Sequence, residues 1–227
     1  MESLIQEEFT LRQDDIDLII ELTEKISKGK RISVHDSSGE TIEILEYGEK
    51  TVNVLKSALF LLAYNQVEST MRGCLEQLYD DITDNNIGYD ELKSEIQTTI
   101  LKGLLKNYQS GGELKKVVQN QLNLKSPSAS LKIKKVFNGN IEASTIYDIR
   151  DTYSIKISPK PTDRNGVDIT TLKEARNDLA HGNISFSEFG GRHPFETVKE
   201  TVSRSSSYLI SVIEGFQTYL DSKGYKA

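Results

Sequence analysis

Apolar residues recur at three- and four-residue spacing along most of the chain, a pattern typical of amphipathic helices. Residues 3 to 28 carry such a stripe, formed by Ile5, Phe9, Ile16, Ile19 and Ile26. A longer stripe covers residues 50 to 81, and its centre, "ALFLLAY", is apolar nearly all round, which predicts a buried helix. Further helices are predicted at 89 to 107, 112 to 122, 142 to 153 and from about Pro194 onward. The chain is therefore predicted to be mostly α-helical.

Three segments interrupt this periodicity. Residues 31 to 46, "RISVHDSSGETIEILE", alternate apolar and polar positions around a DSSG turn, which predicts a short β-hairpin. Residues 124 to 140 gain Ser, Pro and Lys, and "SPKPTDRNG" at 158 to 166 contains several helix breakers, so both read as connections. We expect a single domain over residues 1 to 227. Its parts would be a helical core at about 50 to 81 and 167 to 223, a hairpin at 30 to 47 and a partly irregular insertion at 82 to 165.

Composition narrows the class of protein. A chain of 227 residues with 37% hydrophobic content is large enough to bury a real core. Its single cysteine, Cys74, cannot form an intramolecular disulfide, and no histidine or cysteine cluster has metal-ligand spacing, so neither a structural metal nor a cofactor is expected. The acidic start "MESLIQEEFT" lacks the features of a signal peptide, and no apolar run approaches the roughly 18 residues that span a bilayer. We expect a cytoplasmic protein without membrane contact.

Charge is unevenly distributed along the chain. The net charge of −6 argues against a protein that coats nucleic acid through its overall field. However, eight lysines against one glutamate lie between residues 102 and 135, whereas acids dominate the first 24 residues. Such polarity could steer a phosphate backbone to one side of the molecule. Solvated helix faces of opposite sign explain each run equally well.

The segment "LKEARNDLAHGNISF", residues 172 to 186, contains the most pointed chemistry in the chain. Thr171 followed by Glu174 fits a capping box that would start a helix, and Gly182 supplies a left-handed stop. Leu172, Ala175 and Leu179 would form the core face of that helix.

At about 100° per residue, Arg176 lies at the edge of this core face, and Asn177 and His181 share the opposite side. His181 is therefore expected to face water or another subunit. A histidine near a helix C-terminus is also favoured by the helix dipole alone, without any functional role.

"EARNDLAHG" resembles the R-N-x-x-x-H signature of the HEPN superfamily, the higher eukaryote and prokaryote nucleotide-binding domains. "LFLLAYNQVESTMRGCLEQLYD" at 59 to 80 is similar to the first core helix of a prokaryotic HEPN ribonuclease or toxin-like family, and "HGNISFSEFGGR" with the helix that follows resembles its ending. The resemblance covers roughly 50 to 80 and 170 to 222. It implies a HEPN-like helical bundle that forms a homodimer, in which two motifs meet in one composite active site.

The resemblance also implies an activity: metal-independent endoribonuclease cleavage by attack of the RNA 2′-hydroxyl, leaving a 2′,3′-cyclic phosphate. Arg176, Asn177 and His181 match the catalytic motif, with Arg176 holding the phosphate, His181 moving a proton and Asn177 orienting His181. Such a protein would act as a toxin or phage-defence effector, with an antitoxin or another defence component as partner.

Weaker candidates for site residues occur elsewhere in the sequence. On the helix at 50 to 81, Asn65 and Glu68 belong to a polar line that also includes Arg72, and the two residues could support the active site. The usual reading of such a line is a solvent face with an i,i+4 ion pair. Within the insertion, Lys132, Lys134 and Lys135 are the candidates for RNA contact.

Two other functions remain open from the sequence. One is a non-catalytic HEPN-type module that binds RNA or a nucleotide or acts as a dimeric scaffold, because a fold does not fix a function. The other is a helical interaction protein in which the motif arose by chance. The chain has no phosphate-binding P-loop, dinucleotide fingerprint or H-E-x-x-H zinc motif.

Overall fold

The computed structural model describes residues 4–29, 31–109 and 140–227. Seven α-helices and two short strands lie within these ranges: α1 (Leu4–Gly29), β1 (Arg31–His35), β2 (Thr41–Glu46), α2 (Glu49–Asp84), α3 (Ser94–Gln109), α4 (Ala143–Tyr153), α5 (Val167–Ala180), α6 (Phe186–Gly191) and α7 (Phe195–Asp221). Short 3-10 turns cover Tyr89–Glu91 and Pro161–Gly166. The predicted mostly α-helical class is confirmed. The helix expected at 112 to 122 and most of the connection expected at 124 to 140 lie outside the described residues.

Two compact units can be distinguished by the contacts within each. The first unit comprises residues 1–67 and 161–208, and the second comprises residues 68–160 and 209–227. The long helices α2 and α7 each contribute their first part to the first unit and their second part to the second unit. No helix in the described part of the chain is long and apolar enough to cross a membrane.

The first unit contains α1, the two strands, the start of α2, and the segment from α5 to the start of α7. The strands β1 and β2 pair antiparallel, from Arg31 opposite Glu46 to His35 opposite Thr41. A buried amide joins three of the helices. The Gln66 Nε2 donates to the side-chain oxygen of Gln13 on α1 at 3.1 Å, and its Oε1 accepts from Ser206 Oγ on α7 at 3.1 Å. Gln66 is only 1% exposed, so both ends of its amide need these partners.

In the second unit, aromatic hydroxyls tie the helices together. The hydroxyls of Tyr79 and Tyr153 are 2.7 Å apart, and burial raises the pKa of both phenols. The Tyr225 hydroxyl donates to Asp81 at 2.6 Å. The predicted start of the third helix at 89 was wrong, because Leu92 is extended and bridges to Lys226, so α3 begins at Ser94.

Candidate functional site

The N-terminus of α5, the helix that carries the Arg-Asn-His motif, is fixed by a glycine and a buried ion pair. Gly166 has a positive φ of 77°, and a Cβ at this residue would lie 2.8 Å from the ring of Tyr208. One residue into α5, Asp168 is 4% exposed and accepts hydrogen bonds from Arg204 at 2.8 and 3.2 Å. These bonds raise the pKa of the Arg204 guanidinium above its ordinary value.

These contacts correct the start expected from the sequence. Helix α5 begins at Val167, and Thr171 is an exposed residue within the helix rather than its cap. The capping-box pattern was misleading because the start is set by tertiary packing of Gly166 and Asp168, which lie farther back along the chain.

The C-terminus of α5 is a Schellman motif. The backbone N–H of Gly182 donates to the Leu179 carbonyl at 3.3 Å, and that of Asn183 donates to the Asp178 carbonyl at 3.1 Å. Gly182 has a φ of 68°, the left-handed conformation that this motif requires. The glycine stop expected from the sequence is therefore confirmed. It makes His181 the last residue before the chain turns away.

Arg176 is half-buried and held on two sides. Its NH1 donates to Asn177 Oδ1 at 3.0 Å, and its guanidinium carbon lies 5.5 Å from the ring centroid of Tyr64, which is fully buried in α2. Arginine over an aromatic face is an attractive cation–π arrangement. No carboxylate in the described part of the chain forms an ion pair with Arg176. The guanidinium is thus oriented, yet its charge is not neutralised.

His181 differs from Arg176 in being exposed. Its backbone N–H donates to the Asn177 carbonyl at 3.1 Å, whereas its imidazole forms no hydrogen bond or ion pair within the described ranges. The Asn177 side chain bonds to Arg176, so its tie to His181 is through the backbone. An imidazole that is exposed and unpaired is accessible to a ligand, and neutral histidine both donates and accepts protons.

The chain that leaves α5 is packed firmly against the start of α2. Ser57 Oγ donates to the Phe186 carbonyl at 2.6 Å, and the nearly buried Lys56 donates to the His193 carbonyl at 2.8 Å. The glycine at 190 lets α6 approach the backbone of Asn53, since a Cβ there would lie 1.8 Å from the Asn53 carbonyl oxygen. Burial lowers the pKa of the Lys56 ammonium.

An aromatic cluster completes this contact. The Phe60 ring meets the Phe189 ring edge-on at 5.4 Å, and the His193 ring lies 4.8 Å from Phe189 and 5.3 Å from Phe60. The same face of α2 therefore holds α6 through Phe60 and, one turn later, supports Arg176 through Tyr64. The motif helix and its exit are both positioned by α2.

Sequence reasoning missed helix α6 and the roles of Tyr64, Lys56 and Ser57. Two signals were available. Ser185 followed by Glu188 is a capping-box pattern, and Ser185 Oγ does accept from the Glu188 N–H at 3.3 Å. Adjacent glycines at 190 and 191 permit close helix approach. The partners of Tyr64 could not be read from its position, because a buried tyrosine in an apolar stripe is ordinary core.

No contact among the described residues joins the weaker candidates to Arg176, Asn177 or His181. Asn65 is exposed on α2 and its side chain forms no hydrogen bond within the described residues, and Glu68 is half-buried in the second unit. Lys132, Lys134 and Lys135 lie outside the described residues. In the described ranges, no group of three His, Cys, Asp or Glu side chains is arranged to hold a metal ion.

The described fold is mostly α-helical, and Arg176, Asn177 and His181 lie at the C-terminal end of α5. The MAE_28990-like HEPN family model matches residues 1–223, nearly the whole chain, and the protein therefore belongs to this HEPN family. No curated protein and no solved structure matches the chain significantly.

Proposed function

We propose that this protein is a metal-independent endoribonuclease that cleaves RNA through attack of the 2′-hydroxyl and leaves a 2′,3′-cyclic phosphate. The observation that carries this proposal is how Arg176 is held and how exposed His181 is. Arg176 is an oriented cation that has no carboxylate partner among the described residues, and exposed His181 lies about 1.4 turns further along, at the end of the same helix.

RNA carries its own nucleophile, so strand cleavage requires proton transfer and stabilisation of charge at phosphorus. Arg176 supplies a planar fork of donors that matches phosphate oxygens and the extra negative charge of the transition state. Histidine side chains exchange protons near neutral pH, and His181 takes the proton of the 2′-hydroxyl or returns one to the leaving 5′-oxygen. Asn177 holds the Arg176 guanidinium in place through the 3.0 Å hydrogen bond.

The proposed active unit is a homodimer. In-line cleavage of RNA is fastest when one group removes a proton and a second group supplies one, and α5 offers a single histidine. A second copy, with its own His181 turned outward, supplies the complementary group in a shared cleft. Lys132, Lys134 and Lys135 are proposed to contact the RNA backbone.

We place the activity in a toxin or phage-defence setting, where an antitoxin or another defence component would control it. Unregulated cleavage of cellular RNA harms the host, so an enzyme of this type needs such control. The cellular setting rests on the resemblance of the motif, and the chemistry rests on the geometry of α5.

The activity is tested by incubating total RNA in EDTA with wild type and with the Arg176→Ala and His181→Ala variants. Matched controls are Arg192→Ala, an exposed arginine paired with Glu188, and His35→Ala, an exposed histidine on β1. We expect wild type and both controls to cleave and to leave cyclic phosphate ends. Each motif variant should lose about 100-fold or more in rate.

Two results would contradict the proposal. Cleavage by all five proteins at one rate would place the activity elsewhere or in a contaminant. A folded wild type that binds RNA without cutting it would establish the non-catalytic binding module instead.

The shared cleft has a separate test. If the two motifs meet in one cleft, His181→Cys chains should link into covalent dimers under mild oxidation. A disulfide forms only between cysteines whose Cα atoms lie within about 7 Å, so a link reports that the two copies of this position are close. Thr171→Cys, exposed on the same helix, is the control and should stay monomeric on a denaturing gel. Equal crosslinking of the two variants would argue against a dimer in which the two motifs meet.

A further inference from the structure

Three leucines on α1 project into solvent along one line. Leu4, Leu11 and Leu18 are 71%, 66% and 62% exposed, the highest values among the seven exposed large hydrophobic residues of the described chain. The other four are scattered singly, on α2, α3, α5 and α7. Isolated exposed leucines need no explanation, but a regular row does.

The spacing of these leucines is that of a helix-packing seam. They lie seven residues apart, and half-buried Leu22 extends the row by one further turn. At about 100° per residue, the row falls within roughly 40° of the helix circumference. The buried side of α1, formed by Ile5, Phe9 and Ile16, is centred roughly 130° away. Leu4, Leu11 and Leu18 therefore lie outside the face that packs α1 onto the other described residues of its unit.

Acidic residues occupy the positions between the leucines. Exposed Glu7 and Glu8 lie between Leu4 and Leu11, and exposed Asp14 and Asp15 lie between Leu11 and Leu18. Glu8 is paired with Arg12. The carboxylates of Glu7, Asp14 and Asp15 form no ion pair with any described residue. The leucine row thus lies in a field of negative charge.

We infer that this face of α1 binds an amphipathic helix of another protein that carries apolar residues at heptad spacing and Lys or Arg beside them. The heptad spacing favours a helical partner, because apolar side chains of a partner helix fit between side chains that repeat every seven residues. The acids select a basic partner. A second copy of α1 would place Asp14 and Asp15 near their own duplicates or near Glu7 and Glu8, so self-pairing is opposed by like charge.

The same acids exclude RNA from this face, because phosphate is repelled by carboxylate. The leucine row is thus a protein-docking surface distinct from the motif on α5. From Leu4 to Leu18 it extends about 21 Å, the length of about two heptads of a partner helix.

The test uses a synthetic 24-residue helix with leucine at the heptad core positions and lysine beside them, labelled with a fluorophore. Its binding to the full chain is measured by anisotropy. Two matched peptides accompany it, one with the lysines replaced by glutamate and one with the leucines replaced by serine. The protein variants are Leu11→Ser with Leu18→Ser, and the control Leu101→Ser, a 49% exposed leucine on α3.

We expect the leucine–lysine peptide to bind at least about tenfold more tightly than either matched peptide, and the double variant to lose at least about tenfold in affinity. The Leu101→Ser variant should bind like wild type. Equal binding of the leucine–lysine and serine–lysine peptides would reduce the interaction to charge alone and overturn the inference. Self-association of wild type that is lost in the double variant would show instead that the occupant is a second copy.

Discussion

The two ends of α5 use arginine in opposite ways. At the N-terminal end, buried Asp168 accepts two hydrogen bonds from Arg204 and one from Arg164, so each arginine has a carboxylate partner. At the C-terminal end, Arg176 is supported by an amide and an aromatic ring and has no carboxylate partner in the part of the chain that the structure describes, and His181 is exposed. The first arrangement fixes the helix in its unit, and the second leaves a cation available for an external anion. The two ends of one short helix thus differ in whether their arginines have carboxylate partners among the described residues.

The largest stability effect is expected at the N-terminal end of α5. The Asp168→Ala variant would leave the partly buried Arg204 without its main partner, and breaking such a pair costs about 3 kcal/mol. The free energy of unfolding, measured by urea denaturation, should fall by about this amount. Glu200→Ala removes the exposed partner of the same Arg204 and should change stability by less than about 1 kcal/mol. Equal losses for the two variants would mean that the buried pair has no special role.

The next effect concerns the contact that positions the exit of α5. In Gly190→Ala the added methyl would lie 1.8 Å from the Asn53 carbonyl oxygen, so α6 must move away from α2. We expect a loss of about 2 to 3 kcal/mol in unfolding free energy. The neighbouring Gly191→Ala is the control, because its methyl meets only the flexible Asn53 side chain at 3.3 Å. If both glycines tolerate alanine, the close approach of α6 to α2 is wrong.

A smaller loss is expected where the chain turns after His181. Gly182 has a φ of 68° and open space around it, so alanine is penalised only by its backbone conformation, by about 1 kcal/mol. Asparagine, which tolerates this conformation better, should recover part of the loss in the same denaturation assay. Gly29→Ala, in open space at the end of α1 without a positive φ, should not destabilise the protein. A neutral Gly182→Ala would contradict the Schellman assignment.

The smallest effect is a pH dependence at His193. Burial, followed by the charges of Lys56 and Arg192, lowers the pKa of His193 below its ordinary value. The unfolded chain therefore takes up this proton at a higher pH than the folded chain. The corresponding stability is present above about pH 6.5 and is lost as the pH falls through the folded pKa.

His193→Phe, which keeps an aromatic ring between Phe60 and Phe189, should remove this contribution and flatten the decline of stability between pH 7 and pH 5. The measurement is urea denaturation at a series of pH values. An unchanged slope in the variant would assign the acid sensitivity to other groups.

The sequence predicted the helices where a periodic apolar stripe coincided with a local stop signal. The stop of α5 at Gly182 and the start of α7 after Pro194 both followed from local chemistry. The start of α5 did not, because Gly166 is held by the distant Tyr208 and Asp168 by the distant Arg204. Such partners are separated by about 40 residues, and periodicity carries no information about them.

In the candidate site, too, the local features were predicted from the sequence and the contacts with distant residues were not. Arg176, Asn177 and His181 were found from their spacing within one helix. Tyr64, which supports the Arg176 guanidinium, belongs to another helix and looks like ordinary core in the sequence. The absence of a carboxylate partner for Arg176 within the described residues is likewise a property of three-dimensional packing.

The contrast between the two arginines is tested most directly by one measurement, the rate of RNA cleavage per folded molecule for Arg176→Ala and Arg204→Ala beside wild type. The geometry predicts a loss of about 100-fold or more for Arg176→Ala and a nearly wild-type rate for the folded fraction of Arg204→Ala. Equal losses for both variants, or full activity of Arg176→Ala, would contradict the assignment of Arg176 to the phosphate and Arg204 to the fold.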